Sequence, residues 1–244
     1  MKILLAPSET KISGGNEQFN VNKLLFQELT PIRKELLHKY INILQKNNLT
    51  ELSKMFGLKK ENDINYHNRD IIHELTMKSI ERYTGVAFDY LKYKKLPKES
   101  QNYIDKNVIL CSNLFGFLRA DDMIPEYRLK QGEAVGELTP EKLYKKQSHL
   151  MEEYLENEDI LDLRAVFYDK FYKPTKAYTT LKFIKNGKVV SHWAKAYRGI
   201  VLQKIALAEI DSLEEFMNLS IDNLTIDEIH TKNNRQEIIY KIDN

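Results

Sequence analysis

Residues 107–132 read NVILCSNLFGFLRADDMIPEYRLKQG, an apolar run followed at once by a cluster of charges. The run Val-Ile-Leu-Cys lacks the alternation of a half-exposed strand, which predicts a strand at Asn107–Ser112 that is covered on both faces. Apolar residues from Leu114 to Leu118 then precede six charged side chains: Arg119, Asp121, Asp122, Glu126, Arg128 and Lys130. Such a mixture favours a binding site, because buried ion pairs stabilise a fold only weakly. An ion-pair cluster that merely orders a loop is the alternative.

Similar patterns predict the other main elements. Lys2–Ala6 and Ile160–Ala165 are short apolar runs without alternation, and both are predicted to be covered strands. Helical spacing of apolar residues, bounded by proline, glycine and capping residues, predicts helices at residues 21–45 with an interruption at Thr30-Pro31, 51–56, 69–83, 139–156 and 198–209.

The segment 177–193 carries the clearest turn signal. Ala177–Lys185 and Lys188–Trp193 alternate, and Asn186-Gly187 joins them. Both turn residues tolerate the positive φ of a type I′ turn, so the segment is predicted to be a β-hairpin, near an edge of the sheet. Glu237–Ile242 is predicted to be a last strand.

The order of these elements predicts the fold class. Helices and strands intermix along the chain, and no linker rich in proline, glycine or serine divides it. We therefore expect an α/β (α+β mixed) fold in a single domain, residues 1–244, with a central mixed β-sheet flanked by helices.

Composition excludes several classes of protein. No apolar run approaches the roughly 18–20 residues of a membrane helix, and Ile3–Ala6 is too short for the core of a signal peptide. The expected location is cytoplasmic, without a membrane partner. The single cysteine, Cys111, lies in an apolar run and is predicted to be a core thiol, and the six histidines are scattered. We expect no metal site and no cofactor.

The net charge of +2 conceals an uneven distribution. Between Ala165 and Ala208 the only acidic residue is Asp169, whereas residues 209–230 contain seven acids and no lysine or arginine. Such segregation predicts one basic face that an anion could use, to which we assign Lys182, Lys185, Lys188, Lys195 and Arg198. A solvated surface whose charges balance across the fold is the alternative.

Polar residues follow each of the three covered strands. Ser8, Glu9 and Thr10 follow the first strand, the charged stretch follows the second, and Tyr168, Asp169 and Lys170 follow the third. Because open sheets place ligands beyond the carboxyl ends of their strands, these groups are predicted to line one cleft. Its predicted ligand-binding residues are Ser8, Thr10, Arg119, Arg128, Lys195 and Arg198.

The two arginines of the charged stretch suit an anion. A guanidinium group is always charged and forms a planar fork that fits phosphate or carboxylate, so Arg119 and Arg128 are the predicted anion hooks. Asp121 or Asp122 could orient them, and Asp122 could act as a base. Tyr127 could offer a hydroxyl or a stacking face. Asp122, Arg119, Arg128 and Tyr127 are thus the catalytic candidates.

The same stretch resembles a known family. From Leu114 to Gly132 it reads Leu-Phe-Gly-Phe-Leu-Arg-x-x-Asp-x-x-x-x-Tyr-Arg-Leu-x-x-Gly, which resembles the signature of the YaaA peroxide-stress proteins. ILLAPSET at Ile3–Thr10 is similar to the family's first strand and Ser-Pro-Ala-Lys-Thr turn. Tyr83-Thr84-Gly85 matches its Tyr-Thr-Gly, and Ala194-Lys195 with Arg198-Gly199 resembles its Ala-Lys-Lys-Ala-Arg-Gly.

Two departures from the family pattern concern the predicted cleft. Glu9 stands where the family often has lysine, although Lys11 could substitute for that charge. LDLRAVFY at Leu161–Tyr168 replaces a typical Asn-Leu-Ala-Ser-x-Glu-Tyr and keeps only Leu163 and Tyr168. If the replaced polar residues are catalytic, this chain has altered chemistry or none.

The resemblance implies a cytosolic protein that protects cells from hydrogen peroxide by limiting unincorporated iron and the DNA damage it drives. It also implies an unusual α/β fold with a basic cleft, and DNA as a partner. A nucleobase- or nucleotide-processing activity has been suggested for the superfamily.

Two functions therefore remain open from the sequence. The first is a DNA-binding stress protein without required turnover. The second is an enzyme that acts on a nucleobase or nucleotide ligand in the same cleft. Direct sequestration of iron is disfavoured, because the six histidines are dispersed along the sequence.

Overall fold

This computed structural model describes residues 1–243, except for the side chain of Ser191, and they form eleven strands and nine α-helices. The strands are β1 (Lys2–Leu5), β2 (Glu17–Gln18), β3 (Leu75–Lys78), β4 (Val108–Ser112), β5 (Gly116–Arg119), β6 (Met123–Ile124), β7 (Ile160–Asp162), β8 (Tyr178–Lys185), β9 (Lys188–Val189), β10 (Leu224–Lys232) and β11 (Arg235–Ile242). The α-helices are α1 (Thr30–Lys46), α2 (Leu49–Phe56), α3 (Glu61–His67), α4 (Ser79–Arg82), α5 (Val86–Leu91), α6 (Lys98–Asn107), α7 (Pro140–Tyr154), α8 (Ser191–Ala208) and α9 (Leu213–Met217).

The main sheet has the strand order β10-β11-β8-β7-β1-β4-β5, and β9 pairs with β8. The five strands from β11 to β4 run parallel, whereas β5, β9 and β10 are antiparallel to their neighbours. A second, three-stranded sheet has the order β2-β3-β6. The mixed sheet with surrounding helices confirms the predicted α/β fold class.

The central strands are covered on both faces, as their apolar runs predict. Ile3 and Leu4 are adjacent and completely buried, yet they belong to two separate hydrophobic clusters, one on each face of the sheet. Leu110 and Cys111 divide between the same two clusters. Cys111 is therefore a core residue, and burial raises the pKa of its thiol to about 11.

Two predicted helices differ from the observed elements. The segment 69–83 contains strand β3 and the short helix α4, and it lies at the centre of the small sheet, where pairing with β2 and β6 overrides its helical spacing. The first helix begins only at Thr30, with Pro31 in its first turn. Before it, Phe26 has a φ of 60°, which interrupts helical geometry.

The predicted hairpin forms, but its second strand is short. Asn186 and Gly187 have φ values of 51° and 72°, as a type I′ turn requires. Strand β9 ends at Val189, so Trp193 lies on helix α8. The predicted position near an edge is wrong, because β8 lies between β7 and β11. Strand β10, which the sequence did not indicate because its residues are mostly exposed, forms that edge.

The helices of the described range include none that is both long enough and apolar enough to cross a lipid bilayer.

Candidate functional site

The carboxyl ends of β1, β4 and β7 lie side by side, as the sequence predicts, and we call this side of the sheet the carboxyl edge. A cavity of about 660 Å³ opens there, and we call it the edge cavity. Ala6, Asn113 and Ala165, which follow the three strands, all line it. Helix α5 and the beginning of α8 close its other side. The site therefore lies where a parallel sheet usually binds a ligand.

Ser8 and Thr10 both line the edge cavity, as predicted. Their hydroxyl oxygens are 3.1 Å apart, and the Thr10 amide donates to the Ser8 hydroxyl at 3.2 Å. The Thr10 hydroxyl donates to the carbonyl of Thr84 at 3.3 Å, which ties this turn to the Tyr-Thr-Gly segment. Gly85 has a φ of 107°, and an added Cβ would stand 3.4 Å from the Ser8 hydroxyl. Glycine thus permits this backbone geometry beside the two hydroxyl groups.

Arg128 lines the cavity, but its fork is partly occupied. Its Nε donates to the carbonyl of Phe56 at 3.0 Å, and Nη2 donates to Glu9 at 2.9 Å. The amide of Gln131 donates to the other Glu9 oxygen at 2.8 Å. Glu9, the residue that departs from the family pattern, therefore partly neutralises Arg128.

Lys11 does not present an exposed charge in place of the missing lysine. Its Nζ donates to the carbonyls of Ser8 and Glu9 at 3.2 and 3.3 Å, and it lies 3.9 Å from the centre of the Tyr127 ring. Burial, and then the nearby Arg128 guanidinium, lower the pKa of Lys11 to about 7. The amine sits against the buried aromatic wall rather than in solvent.

The structure does not bring Arg119 and Asp122 into this cavity. Strand β5 runs antiparallel to β4 and pairs Arg119 with Ile109, near the beginning of β4. Arg119 therefore lies at the opposite, amino edge of the sheet, where it lines a separate cavity of about 360 Å³ with Asp121 and Lys106. The predicted convergence fails here, because the turn after β4 sends the chain back along the sheet.

Arg119 and Asp122 form an internal clamp instead. Arg119 Nε and Nη2 donate to one Asp122 oxygen at 3.1 and 2.9 Å. The other Asp122 oxygen accepts from the amides of Leu25 and Arg119, both at 2.9 Å. Asp122 is buried and satisfied by four hydrogen bonds, which leaves no free oxygen for a role as a base.

Tyr127 lies behind the cavity wall. Its hydroxyl oxygen is 2.8 Å from the hydroxyls of Tyr83 and Ser112, and its ring packs edge-on against Phe115. Burial raises its pKa to about 12. The predicted hydroxyl or stacking contact with a ligand is therefore not available in this conformation.

Helix α8 brings Lys195 and Arg198 to the edge cavity, as predicted. A Cβ added to Gly199 would stand 2.0 Å from the carbonyl oxygen of Ala87, so glycine alone allows α8 to pack directly on α5. This contact holds the two basic side chains beside Gly85. The Arg-Gly pair thus combines a charge with the close packing that positions it.

Arg198 has no hydrogen-bond partner for its buried Nε among the described residues. Its guanidinium lines the edge cavity and also a second cavity of about 300 Å³, which we call the side cavity. Burial lowers the pKa of Arg198, although Asp162 opposes that effect. An unpaired guanidinium between two cavities is arranged to receive an anion.

The other predicted basic residues lie at the same edge. Lys182 lines the side cavity, and Lys185 and Lys188 face each other across the β8–β9 turn. We define the basic edge as Lys182, Lys185, Lys188, Lys195 and Arg198. Within residues 1–243, apart from the side chain of Ser191, none of the five forms an ion pair.

Two arginines of the side cavity are, by contrast, internally neutralised. Arg164 donates to both carboxylate oxygens of Asp162, at 2.8 and 2.7 Å, and both side chains are buried. Arg235 donates to Glu237 at 2.7 Å. The second departure from the family pattern therefore includes a buried ion pair, Asp162–Arg164, beneath the side cavity.

Two lining residues were not identified from the sequence. Asn113 is 7% exposed, and its Oδ1 is buried without a hydrogen-bond partner in the described part of the chain. Phe167 is 41% exposed and lies at the mouth of the cavity. The position of Asn113 directly after a covered strand was the available signal, because polar residues there tend to face the ligand.

Comparison with known proteins identifies the family. A family model described as peroxide stress protein YaaA matches residues 1–230. An uncharacterized protein of Campylobacter jejuni is 45% identical over 244 residues, covering 99% of both chains. A UPF0246 protein of Corynebacterium glutamicum is 31% identical over 233 residues, covering 90% of this chain and 91% of its own, and one of Fusobacterium nucleatum is 26% identical, covering 93% of each. With 230 of its residues matched by that model, the chain belongs to the peroxide stress protein YaaA family.

Proposed function

We propose that this protein is a cytosolic peroxide-stress protein that binds DNA through the basic edge and thereby limits iron-driven DNA damage. The observation that carries the proposal is the basic edge itself, whose five cations lack ion pairs within the described residues. Three of them, Lys182, Lys195 and Arg198, line the two cavities, and Arg198 lines both. Family membership supports the stress response, and the charge arrangement supports DNA as the partner.

Cations of this kind suit the phosphate backbone. Each lysine or arginine that neutralises a phosphate releases condensed counterions, and this release supplies most of the affinity of sequence-independent binding. An already paired cation contributes less, because its carboxylate partner must first be displaced. Trp193, 43% exposed, lies 5.8 Å from Lys185 Nζ and adds an aromatic face on which a base could stack.

Charge reversal tests this proposal directly. Lys185→Glu and Lys195→Glu should each weaken binding of unrelated duplex sequences at low salt, because a repulsive carboxylate replaces a phosphate contact. Fluorescence anisotropy with labelled duplex DNA measures the change. Lys106→Glu is the matched control, since Lys106 is exposed at the amino edge, and it should bind like the wild type. Unchanged affinity for duplex DNA in both basic-edge variants would contradict the proposal.

The volume of the edge cavity favours a second candidate, an enzyme that acts on a nucleobase or nucleotide. At about 660 Å³ the cavity lies within the range of about 300–1,000 Å³ typical of small-molecule sites. Glu9 is the carboxylate that lines it, whereas Asp122 lies at the other edge. Incubation with nucleosides and nucleotides, followed by chromatography of the products, tests this candidate. Products that depend on the protein and disappear in Glu9→Gln would support it.

A further inference from the structure

We propose that the edge cavity holds one unstacked nucleotide, with its base edge at Asn113 and its phosphate at Lys195 and Arg198. The inference rests on the proposed function only in assigning a phosphate to these two cations. The unsatisfied polar groups and the aromatic rim of the pocket support the inference independently of that function.

Asn113 supplies the first unsatisfied group. Its side chain is more than nine-tenths buried and lines the cavity, and its Oδ1 has no hydrogen-bond partner among residues 1–243. Buried polar atoms are almost always paired in folded proteins, so an unpaired amide beside a cavity indicates a missing partner. A primary amide presents an adjacent acceptor and donor. That pair complements the edge of a nucleobase, which presents a donor and an acceptor side by side.

Arg198 supplies the second unsatisfied polar group. Its buried Nε is also unpaired in the described structure, and its guanidinium borders both the edge cavity and the side cavity. A phosphate held there would have its sugar and base on the side of the edge cavity. The next phosphate of a chain could then approach Lys182, which lines the side cavity. The arrangement therefore suits a nucleotide within a strand as well as a free one.

Phe167 forms an aromatic rim. It is 41% exposed at the cavity, and Lys170 Nζ lies 4.0 Å from its ring centre in a cation–π contact. Bases stack on exposed aromatic rings regardless of sequence, because every base has a π-face. The amide, the guanidinium group and the aromatic ring thus complement three features of a nucleotide: the edge of its base, its phosphate and the face of its base.

A base inside a duplex cannot reach Asn113 without leaving its stack. Extrusion costs unpairing and unstacking free energy, and this cost is smallest where the base is already unpaired. The inference therefore predicts that gapped duplex DNA binds more tightly than the same duplex without a gap. Free nucleotides are the other source of the same chemistry.

The test compares both sources in wild type, Asn113→Ala and the matched control Asn102→Ala, in which the same truncation is made at the amino-edge cavity. Fluorescence anisotropy measures binding of a blunt duplex and of the same duplex with a short single-stranded gap. Calorimetry measures binding of each of the four deoxynucleoside monophosphates. Thermal denaturation establishes that each variant is folded, and Phe167→Ala provides a second variant should Asn113→Ala be unstable.

Loss of one amide contact should weaken binding about fivefold, since a hydrogen bond contributes about 1 kcal/mol net. The proposal is supported if Asn113→Ala or Phe167→Ala selectively weakens binding of gapped DNA, or of a free monophosphate, while blunt-duplex binding and Asn102→Ala stay unchanged. Selectivity for gapped DNA assigns the nucleotide to a strand, and selectivity for the monophosphate assigns it to a free ligand. Absence of both effects overturns the proposal and leaves DNA binding by the basic edge intact. If the wild type binds no DNA at all, the proposed function fails, and the monophosphate titration alone then decides the inference.

Discussion

Single side chains decide which charges are available to a ligand. Glu9 occupies part of the Arg128 fork, and Asp122 occupies that of Arg119, whereas Arg198 retains an unpaired Nε in the described structure. The sequence indicates that all three arginines are candidates. Their hydrogen bonds to carboxylates distinguish the three arginines in the fold. The partners can lie far apart in the sequence, since Glu9 and Arg128 are 119 positions apart. Local pattern therefore could not distinguish the unpaired Arg198 from the internally paired Arg119 and Arg128.

The clamp predicts a stability effect without a binding effect. Asp122→Ala should lower the free energy of unfolding by about 1–3 kcal/mol, because it leaves the amides of Leu25 and Arg119 without their acceptor, whereas the Arg119 guanidinium is 41% exposed and stays solvated. Urea denaturation measures the loss. Asp121→Ala is the matched control: its carboxylate is 41% exposed and 3.4 Å from Arg119, so the cost should stay below about 1 kcal/mol. Similar losses in the two variants would contradict the clamp.

Lys11 predicts a pH dependence. Its pKa falls from 10.5 to about 7 on folding, so between these pH values the unfolded chain binds a proton that the folded chain does not. The contribution of Lys11 to the free energy of unfolding should therefore decline as the pH falls from about 10 to about 7, and should be constant below about 7. Lys11→Met lacks this dependence.

Urea denaturation of both proteins across that pH range isolates the effect, because other titrating groups cancel in the difference between them. The stability of the wild type relative to Lys11→Met should decrease toward pH 7. A difference that does not change between pH 7 and 10 would show that the amine stays solvated.

At the scale of elements, the sequence correctly predicts those turns and helix starts that are determined by neighbouring residues. Asn186-Gly187 sets a turn by its own φ preferences, and Thr139 and Pro140 begin a helix, with the Thr139 hydroxyl accepting from the Lys142 amide. Segment 69–83 was misassigned because its strand exists only through pairing with β2 and β6. The extent of β9 likewise depends on how α8 packs, and adjacent residues do not reveal that contact.

Substitution of Gly199 at the α5–α8 contact should have two effects of opposite sign on the stability of the protein. Helix propensity alone says that Gly199→Ala should stabilise α8 by about 1 kcal/mol. The added methyl group would meet the Ala87 carbonyl at 2.0 Å, and overpacking of this kind costs about 1–3 kcal/mol. We expect net destabilisation, together with weaker DNA binding, because α8 carries Lys195 and Arg198. Thermal and urea denaturation give the sign, and a stabilised variant would mean that the two helices separate readily.

At the scale of the whole molecule, the sheet explains why some predicted site residues meet and others do not. Parallel order brings the ends of β1, β4 and β7 together, so Ser8, Thr10 and Tyr168 line the edge cavity. Of the other two residues predicted there after β7, Asp169 lines the side cavity and Lys170 lines neither. The reversal after β4 places Arg119 at the amino edge, and the chain returns to the cavity only at Arg128. An antiparallel hairpin of apolar residues was not distinguishable from a continuing loop, because Leu114 to Leu118 are buried either way.

The salt dependence of DNA affinity tests the central claim, that the unpaired cations of the basic edge contact phosphate. The slope of log affinity against log salt concentration counts the phosphate contacts, and each lost contact reduces its magnitude by about one. Lys185→Gln combined with Lys195→Gln should therefore reduce the slope by about two relative to the wild type, while Lys106→Gln leaves it unchanged. A double variant whose slope equals that of the wild type would contradict the account.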